Sequence, residues 1–196
     1  RLGAPGRELL LQTPQLQVHV GGAEANVAVS LACLGHDVQM VSTVPGNALG
    51  RHAVAELRRH GVGVAGVREV DRDRMGLYFL APGAVHRASE VVYDRAGSAF
   101  ANSSAEDHAW PALLSGAQLL HVSGISPALG DNVAGSVLGA VRAARAARVQ
   151  VSFDGNYRPS LWRRWGGDAA VILREIFAEA DIAFADHRDI ELVLGL

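Results

Sequence analysis

Apolar and polar positions alternate over residues 16–20, LQVHV, as a strand with one buried face requires. Gly21 and Gly22 break that pattern, and AEANVAVSLACLG then reads as a helix closed by Gly35. Residues 37–44 predict a second strand, and residues 47–61 a second helix that again ends in glycine. Strand, helix, strand, helix with short connections predicts an α/β fold with parallel pairing. The middle of the chain departs from this order. Residues 75–95 read as two strands around Pro82 and Gly83, a hairpin rather than a strand-helix-strand unit. Alternation then resumes. Ser103 with Glu106 predicts a capping box for a helix carrying Trp110. Residues 117–125, 148–154 and 181–185 predict strands, residues 131–147 and 167–179 predict helices, and another helix begins over 186–194. The expectation is a βα core interrupted by an antiparallel element, without internal repeats.

Composition narrows the class. A chain of 196 residues with 49% hydrophobic and 19% charged positions builds one sizeable core and is not a disordered segment. The net charge of −2 lacks the basic bias of a dedicated nucleic-acid binder. No apolar run reaches the roughly 20 residues of a membrane span. The opening residues carry no signal-peptide pattern, so the expected location is cytoplasmic. The sequence contains no lysine, which removes a P-loop lysine or a Schiff-base lysine from consideration. Cys33 is the one cysteine and is expected to be a buried structural thiol. His52 and His60 share a helical face with Glu56 between them but do not form a metalloprotease pattern. Ser123 and Ser126 read as loop polarity, because no Gly-x-Ser-x-Gly elbow is present. Residues 46–50 are too loose for a dinucleotide fingerprint.

Candidate chemistry falls at the carboxyl ends of the predicted strands, where open α/β sheets bind ligands. Gly21 and Gly22 permit close backbone approach, and the helix that follows favours an anion at its start. Asn26, one turn in, either caps the preceding loop or faces a ligand. Arg95, just past the hairpin, reads from position alone as a solvated side chain. In VSFDGNYRPSLW an apolar run stops at Asp154, and Asn156, Tyr157 and Arg158 follow before a proline. Pro159 pushes Arg158 toward an extended backbone, from which a guanidinium can clamp a carboxylate or phosphate. Two arginines, Tyr78, Tyr93 and paired glycines suit a small anion bearing hydroxyls.

Taken in order, these motifs resemble a known family. VGGAEANVAVSLACLGHDVQMVSTVPGNALG resembles the N-terminal signature of the ribokinase-type (PfkB) carbohydrate kinases. GLYFL, VVYDRAGSAF, HVSGISPAL and FDGNYRPSLW are similar to the 2-keto-3-deoxygluconate kinase branch, from about residue 16 onward. Fructokinases share part of the last pattern, and the inositol-pathway sugar-acid kinases are also close.

The resemblance implies a ribokinase-like, doubly wound, mostly parallel sheet with a small β lid. It places the lid over about 1–20 and 76–97 and the α/β core over about 21–75 and 98–196, as one incomplete domain. It implies ATP and Mg²⁺ as cofactors, a sugar acid as substrate, and homo-oligomers formed through the lid. Gly22, Asn26, Tyr78, Tyr93, Arg95 and Arg158 would contact the sugar acid; Asn156, Arg158 and Asp186 would face the nucleotide. No residue is assigned as a metal ligand. Two departures accompany the resemblance. The family's Asn-x-x-Glu motif, tied to magnesium and phosphate, is replaced by Asp186-His187-Arg188-Asp189. The catalytic aspartate of a Gly-Ala-Gly-Asp motif is expected beyond Leu196, so this chain alone is expected to be inactive. The alternatives are a fructokinase or other sugar kinase of the family, or a non-catalytic fragment that binds sugar acid or dimerises.

Overall fold

A computed structural model describes residues 1–191 and 195. The chain divides into two compact units, Arg1–Phe100 and Ala101–Leu196.

The first unit begins with β1 (Leu2–Gly3) and β2 (Gln17–Val18), followed by α1 (Ala23–Cys33), β3 (Gln39–Pro45), α2 (Ala48–Arg59) and β4 (Gly63–Val70). It closes with β5 (Leu77–Ala81) and β6 (Glu90–Asp94). Both helices end as their glycines predict. Gly35 and Gly61 adopt φ of 89° and 80°. Their N–H groups donate to Ala32 and Arg58, and the next residues, His36 and Val62, donate to Leu31 and Leu57. Each ending is a Schellman motif, which satisfies carbonyls that a helix end leaves orphaned. At the second of them, Val62 and Leu57 also pack together with Ala28 in the core of this unit.

Strands β3 and β4 pair in parallel, with α2 as their connection. β4 is absent from the periodicity reading. Gly63 and Gly66 interrupt its apolar run and Arg68 and Glu69 follow, so alternation is lost. Gly50 shows why α2 fits so closely: a Cβ there would lie 1.9 Å from the Pro45 carbonyl oxygen. The second sheet has the order β2-β1-β5-β6, with β5 and β6 antiparallel as expected. Only Gln17–Val18 of the predicted strand 16–20 is regular, paired antiparallel with β1.

Cys33 is exposed, contrary to the expectation of a buried thiol. Because α1 is apolar on nearly every side, its sequence does not mark the buried face. Ala25, Ala28, Val29 and Ala32 take the core seam, and Cys33 lies beside it facing outward.

The second unit contains α3 (Trp110–Leu113), β7 (Leu119–Ser123), α4 (Asp131–Ala146), β8 (Gln150–Asp154), α5 (Pro159–Trp162), α6 (Ala169–Glu179), β9 (Ile182–Phe184) and α7 (His187–Asp189). The expected capping box is displaced by one residue. Ser104 and Asp107 form it around the 3₁₀ turn Ala105–Asp107, and α3 is a separate single turn. β7, β8 and β9 form a parallel sheet in that order. Alternation along β8 sends Val151 and Phe153 into the core while Ser152 and Asp154 take the other face. α4 buries Val133, Val137, Ala140, Val141 and Ala144 at helical spacing, and α4 and α6 both pack on β8. Of the helix expected over 186–194, residues 192–194 lie outside the described residues.

Candidate functional site

In the first unit, strand register builds an aromatic seat for one arginine. Tyr78 of β5 lies directly opposite Tyr93 of β6, with ring centroids 6.3 Å apart. Arg95 follows Tyr93 by two residues and so projects from the same face. Its guanidinium carbon sits 5.3 Å from the Tyr78 ring centre and 5.0 Å from that of Tyr93, within cation–π range of both. The turn that carries it is braced by Arg74, which pairs with the Asp94 carboxylate and donates to the Ala96 carbonyl at 3.3 Å. Arg74 gave no motif signal, since its partner stands 20 positions away. The solvated reading of Arg95 therefore gives way to a guanidinium stacked against two aromatic rings.

Arg95→Ala is expected to weaken the apparent affinity for a small anion by about 10- to 100-fold, because a charge-assisted contact and its stacking are both lost. Arg95→Lys is expected to recover only part, since an ammonium lacks the planar fork. Steady-state kinetics on the complete protein that carries this chain checks both.

Gly22 is the extended N-cap of α1, and its carbonyl accepts the first helical bond from Asn26 N–H at 2.9 Å. Gly22 itself has no side chain with which to cap the helix. The Asn26 Oδ1 turns back toward Gly21, where a Cβ would lie 3.6 Å away. Gly21 and Asn26 line a groove of about 280 Å³ together with Val29, Leu57 and His60.

In the second unit, the carboxyl ends of β7 and β8 bring polar groups together by register. Ser123 pairs with Asp154, and His121 pairs with Ser152, to whose hydroxyl its Nδ1 is bonded at 3.1 Å. Ser123 is fully buried, and its hydroxyl accepts the Asn156 amide at 3.4 Å. Ser123 is thus a partner of the site loop, which its reading as loop polarity missed. Asn156 holds a φ of 40°, a region that asparagine tolerates better than most side chains. Its Oδ1 is buried without a hydrogen-bond partner among the described residues. Arg158 has the extended backbone that Pro159 imposes; its side chain is exposed and donates to the Tyr157 carbonyl at 2.9 Å.

Burial pushes the half-buried Asp154 carboxyl above its ordinary value. His121 draws it back, Asp189 adds to the rise, and Arg158 and the Asn156 N–H oppose it. A raised folded-state value means that folding takes up a proton. Ionisation therefore works against the fold, and stability declines as pH climbs from the unfolded value of 3.8 through the folded one. Asp154→Asn is accordingly expected to raise the melting temperature at pH 7 and to lose that advantage below pH 3.8. Thermal melts of both proteins across this range check the sign.

The carboxylates of the joint after β9 are held by hydrogen bonds. Asp186 caps α7: its Oδ1 accepts N–H bonds from Arg188 at 2.8 Å and Asp189 at 3.0 Å, and its Oδ2 accepts the Arg188 guanidinium at 2.8 Å. The Arg188 contact, with the Asp189 N–H, lowers the Asp186 pKa to about 2. Both Asp189 oxygens are likewise taken by backbone N–H groups of Tyr157 and Asp186. The carboxylates of this joint are therefore oriented by hydrogen bonds from the chain. Among the described residues no cluster of three His, Cys, Asp or Glu could hold a metal. No helix among the described residues is long and apolar enough to cross a membrane.

Comparison with known proteins bears on the family. Over residues 3–196 the chain matches the pfkB family carbohydrate kinases. It is 34% identical over 196 residues to the 2-dehydro-3-deoxygalactonokinase of Haloferax volcanii, covering 100% of this chain and 60% of that protein. The crystal structure of 2-dehydro-3-deoxygluconokinase from Thermotoga maritima aligns with a TM-score of 0.93 and 39% identity, over 100% of this chain and 59% of that one. Fructokinase from Xylella fastidiosa, solved with bound ATP, aligns with a TM-score of 0.84 and 26% identity, over 99% and 60% of the two chains. The chain thus spans about 60% of the length of these relatives. The expected ribokinase-like α/β class holds, and the chain belongs to the pfkB family of carbohydrate kinases.

Proposed function

We propose that the complete protein carrying this chain transfers the γ-phosphoryl group of ATP to the terminal hydroxyl of a sugar acid, 2-keto-3-deoxygluconate, giving its 6-phosphate. The observation that carries the acid preference is the Arg95 guanidinium stacked against Tyr78 and Tyr93. A neutral sugar does not need a fixed cation held at that place, whereas a carboxylate gains a charge-assisted bond. ATP as donor is supported by family membership and by the nucleotide bound to the Xylella fructokinase.

The roles assigned here are those the family resemblance implies. Arg95, Tyr78 and Tyr93 bind the acid and its hydroxyls, while Gly22 and Asn26 border the sugar through the opening turn of α1. Arg158 pairs with the carboxylate or with the phosphoryl group in transfer, and Asn156 lies toward the nucleotide phosphates. Asp186 acts by capping α7, because its oxygens are already bonded. The proton acceptor is assigned outside residues 1–196. Phosphoryl transfer depends chiefly on positioning and charge neutralisation, which is what these residues can supply. A coupled assay of ADP release, run on the complete protein against gluconate- and galactonate-derived keto acids and neutral sugars, tests the reading. Turnover confined to neutral sugars, or absent with every sugar acid, would overturn it.

The sheet β2-β1-β5-β6 is assigned as the lid, and as the surface through which two copies associate. Leu2, Val18, Phe79 and Val92 align across its four strands on the face opposite the two tyrosines. Val18 and Val92 are 62% and 44% exposed. Val92→Glu is expected to convert a dimer to a monomer in light scattering. An unchanged assembly would remove this face from consideration.

A further inference from the structure

We propose that Asp189 is a positioning residue for the Arg158 loop, its buried carboxylate holding residues 155–158 in the shape that presents Asn156 and Arg158. What the loop does rests on the sugar-acid kinase reading; what Asp189 does rests on geometry.

Asp189 is only 7% exposed. Its Oδ1 accepts the Tyr157 N–H at 3.0 Å, a bond between residues 32 positions apart. Its Oδ2 accepts the Asp186 N–H at 3.0 Å. One side chain therefore ties the start of α7 to the loop after β8. Removing such an acceptor leaves a shielded N–H unpaired, which costs more than the bond itself contributes.

Two glycines make the tie possible. A Cβ on Gly155 would lie 2.8 Å from Asp189 Oδ2 and 2.9 Å from its Cγ. A Cβ on Gly124 would lie 2.0 Å from the Gly155 carbonyl oxygen. Backbone bonds follow the same stack: Gly124 N–H donates to Asp154 at 2.8 Å, and Gly155 N–H donates to Phe184 at 2.8 Å. The loops after β7, β8 and β9 are thus layered, Gly124 on Gly155 and Gly155 on Asp189. An aspartate reaches this layer with its carboxylate against bare backbone. A glutamate would carry its carboxylate one carbon further, into the space Gly155 leaves too small for a methyl group.

The test uses the complete protein and five variants, two of which carry Arg158→Ala. Asp189→Asn keeps the volume but turns one acceptor into a donor facing an N–H group. It is expected to speed hydrogen exchange at the Tyr157 amide by about tenfold or more, with helix α4 unaffected. KM for the sugar acid is expected to rise by about tenfold while the Mg²⁺ concentration needed for half-maximal rate stays unchanged. Adding Arg158→Ala to Asp189→Asn is expected to cost much less than Arg158→Ala alone, since both act through one loop. Gly155→Ala leaves the carboxylate in place but crowds it, and is expected to give the same exchange signature. Asp189→Glu, which restores the family's residue, is not expected to rescue. Unchanged Tyr157 exchange in both Asp189→Asn and Gly155→Ala would overturn the proposal. So would an Asp189→Glu protein of wild-type activity with an altered Mg²⁺ requirement. The exchange arm needs no turnover: accelerated exchange in variants of a protein that phosphorylates no sugar acid would uphold the tie and overturn the kinase reading.

Discussion

Arg158→Ala in the complete protein is expected to lower kcat/KM for the sugar acid by about 100- to 1,000-fold. The expectation follows from where the residue stands. Arg158 occupies the last position before α5 in an extended conformation, and Pro159 limits its backbone. Its side chain is exposed and, among the described residues, donates to the neighbouring Tyr157 carbonyl, which leaves further donors for an anion. Removing a guanidinium from a desolvated anion leaves the anion unpaired, and that penalty dominates the loss. Arg158→Lys should recover charge but not the two-pronged geometry, and so should fall between the two proteins. Kinetics that separate KM from kcat also identify its partner. A rise in KM for the sugar acid alone marks the carboxylate, and a fall in kcat marks the phosphoryl group in transfer. Unchanged kinetics would remove Arg158 from the site.

The largest stability effect is expected at Phe153. This side chain is 0% exposed and meets Phe177 of α6 edge-on, with ring centroids 4.7 Å apart at 83°. Its neighbours in register are Val122 on β7 and Ala183 on β9. Phe153→Ala removes the ring and opens a cavity under the middle of the sheet, at a cost of about 3–5 kcal/mol. Phe153→Leu should cost clearly less, since most of the volume is kept. Urea denaturation followed by circular dichroism measures both. A loss below about 1 kcal/mol for the alanine variant would contradict the packing described. Asp154 follows Phe153 directly, so the same cavity should also loosen the loop that carries Arg158.

How far these features could be read from the sequence depended on whether the signal was local. The closures of α1 and α2 were legible because a glycine at a helix end has a local cause, the left-handed turn at Gly35 and Gly61. The hairpin and the three parallel strands were legible because their apolar runs are short and bounded. β4 was not, because Gly63, Gly66, Arg68 and Glu69 erase its period, and its place is set by pairing with β3. Cys33 was misjudged because an all-round apolar helix does not reveal which side meets the core. The site divides in the same way. Arg158 announces itself beside Pro159, and the motifs around Tyr78, Tyr93 and Arg95 carry the family resemblance. Their stacking depends on cross-strand register, which spacing does not supply. The partners of Arg74, Ser123 and Asp189 stand 20 to 33 positions away, so their ties are set by the fold and not by local spacing.

The most direct test of the central claim compares two substrates on the complete protein, 2-keto-3-deoxygluconate and fructose, each with ATP. A site built around the stacked Arg95 guanidinium should favour the acid by about 100-fold or more in kcat/KM, and Arg95→Ala should erase most of that preference. Equal or greater turnover of fructose, with a preference unmoved by Arg95→Ala, would contradict it.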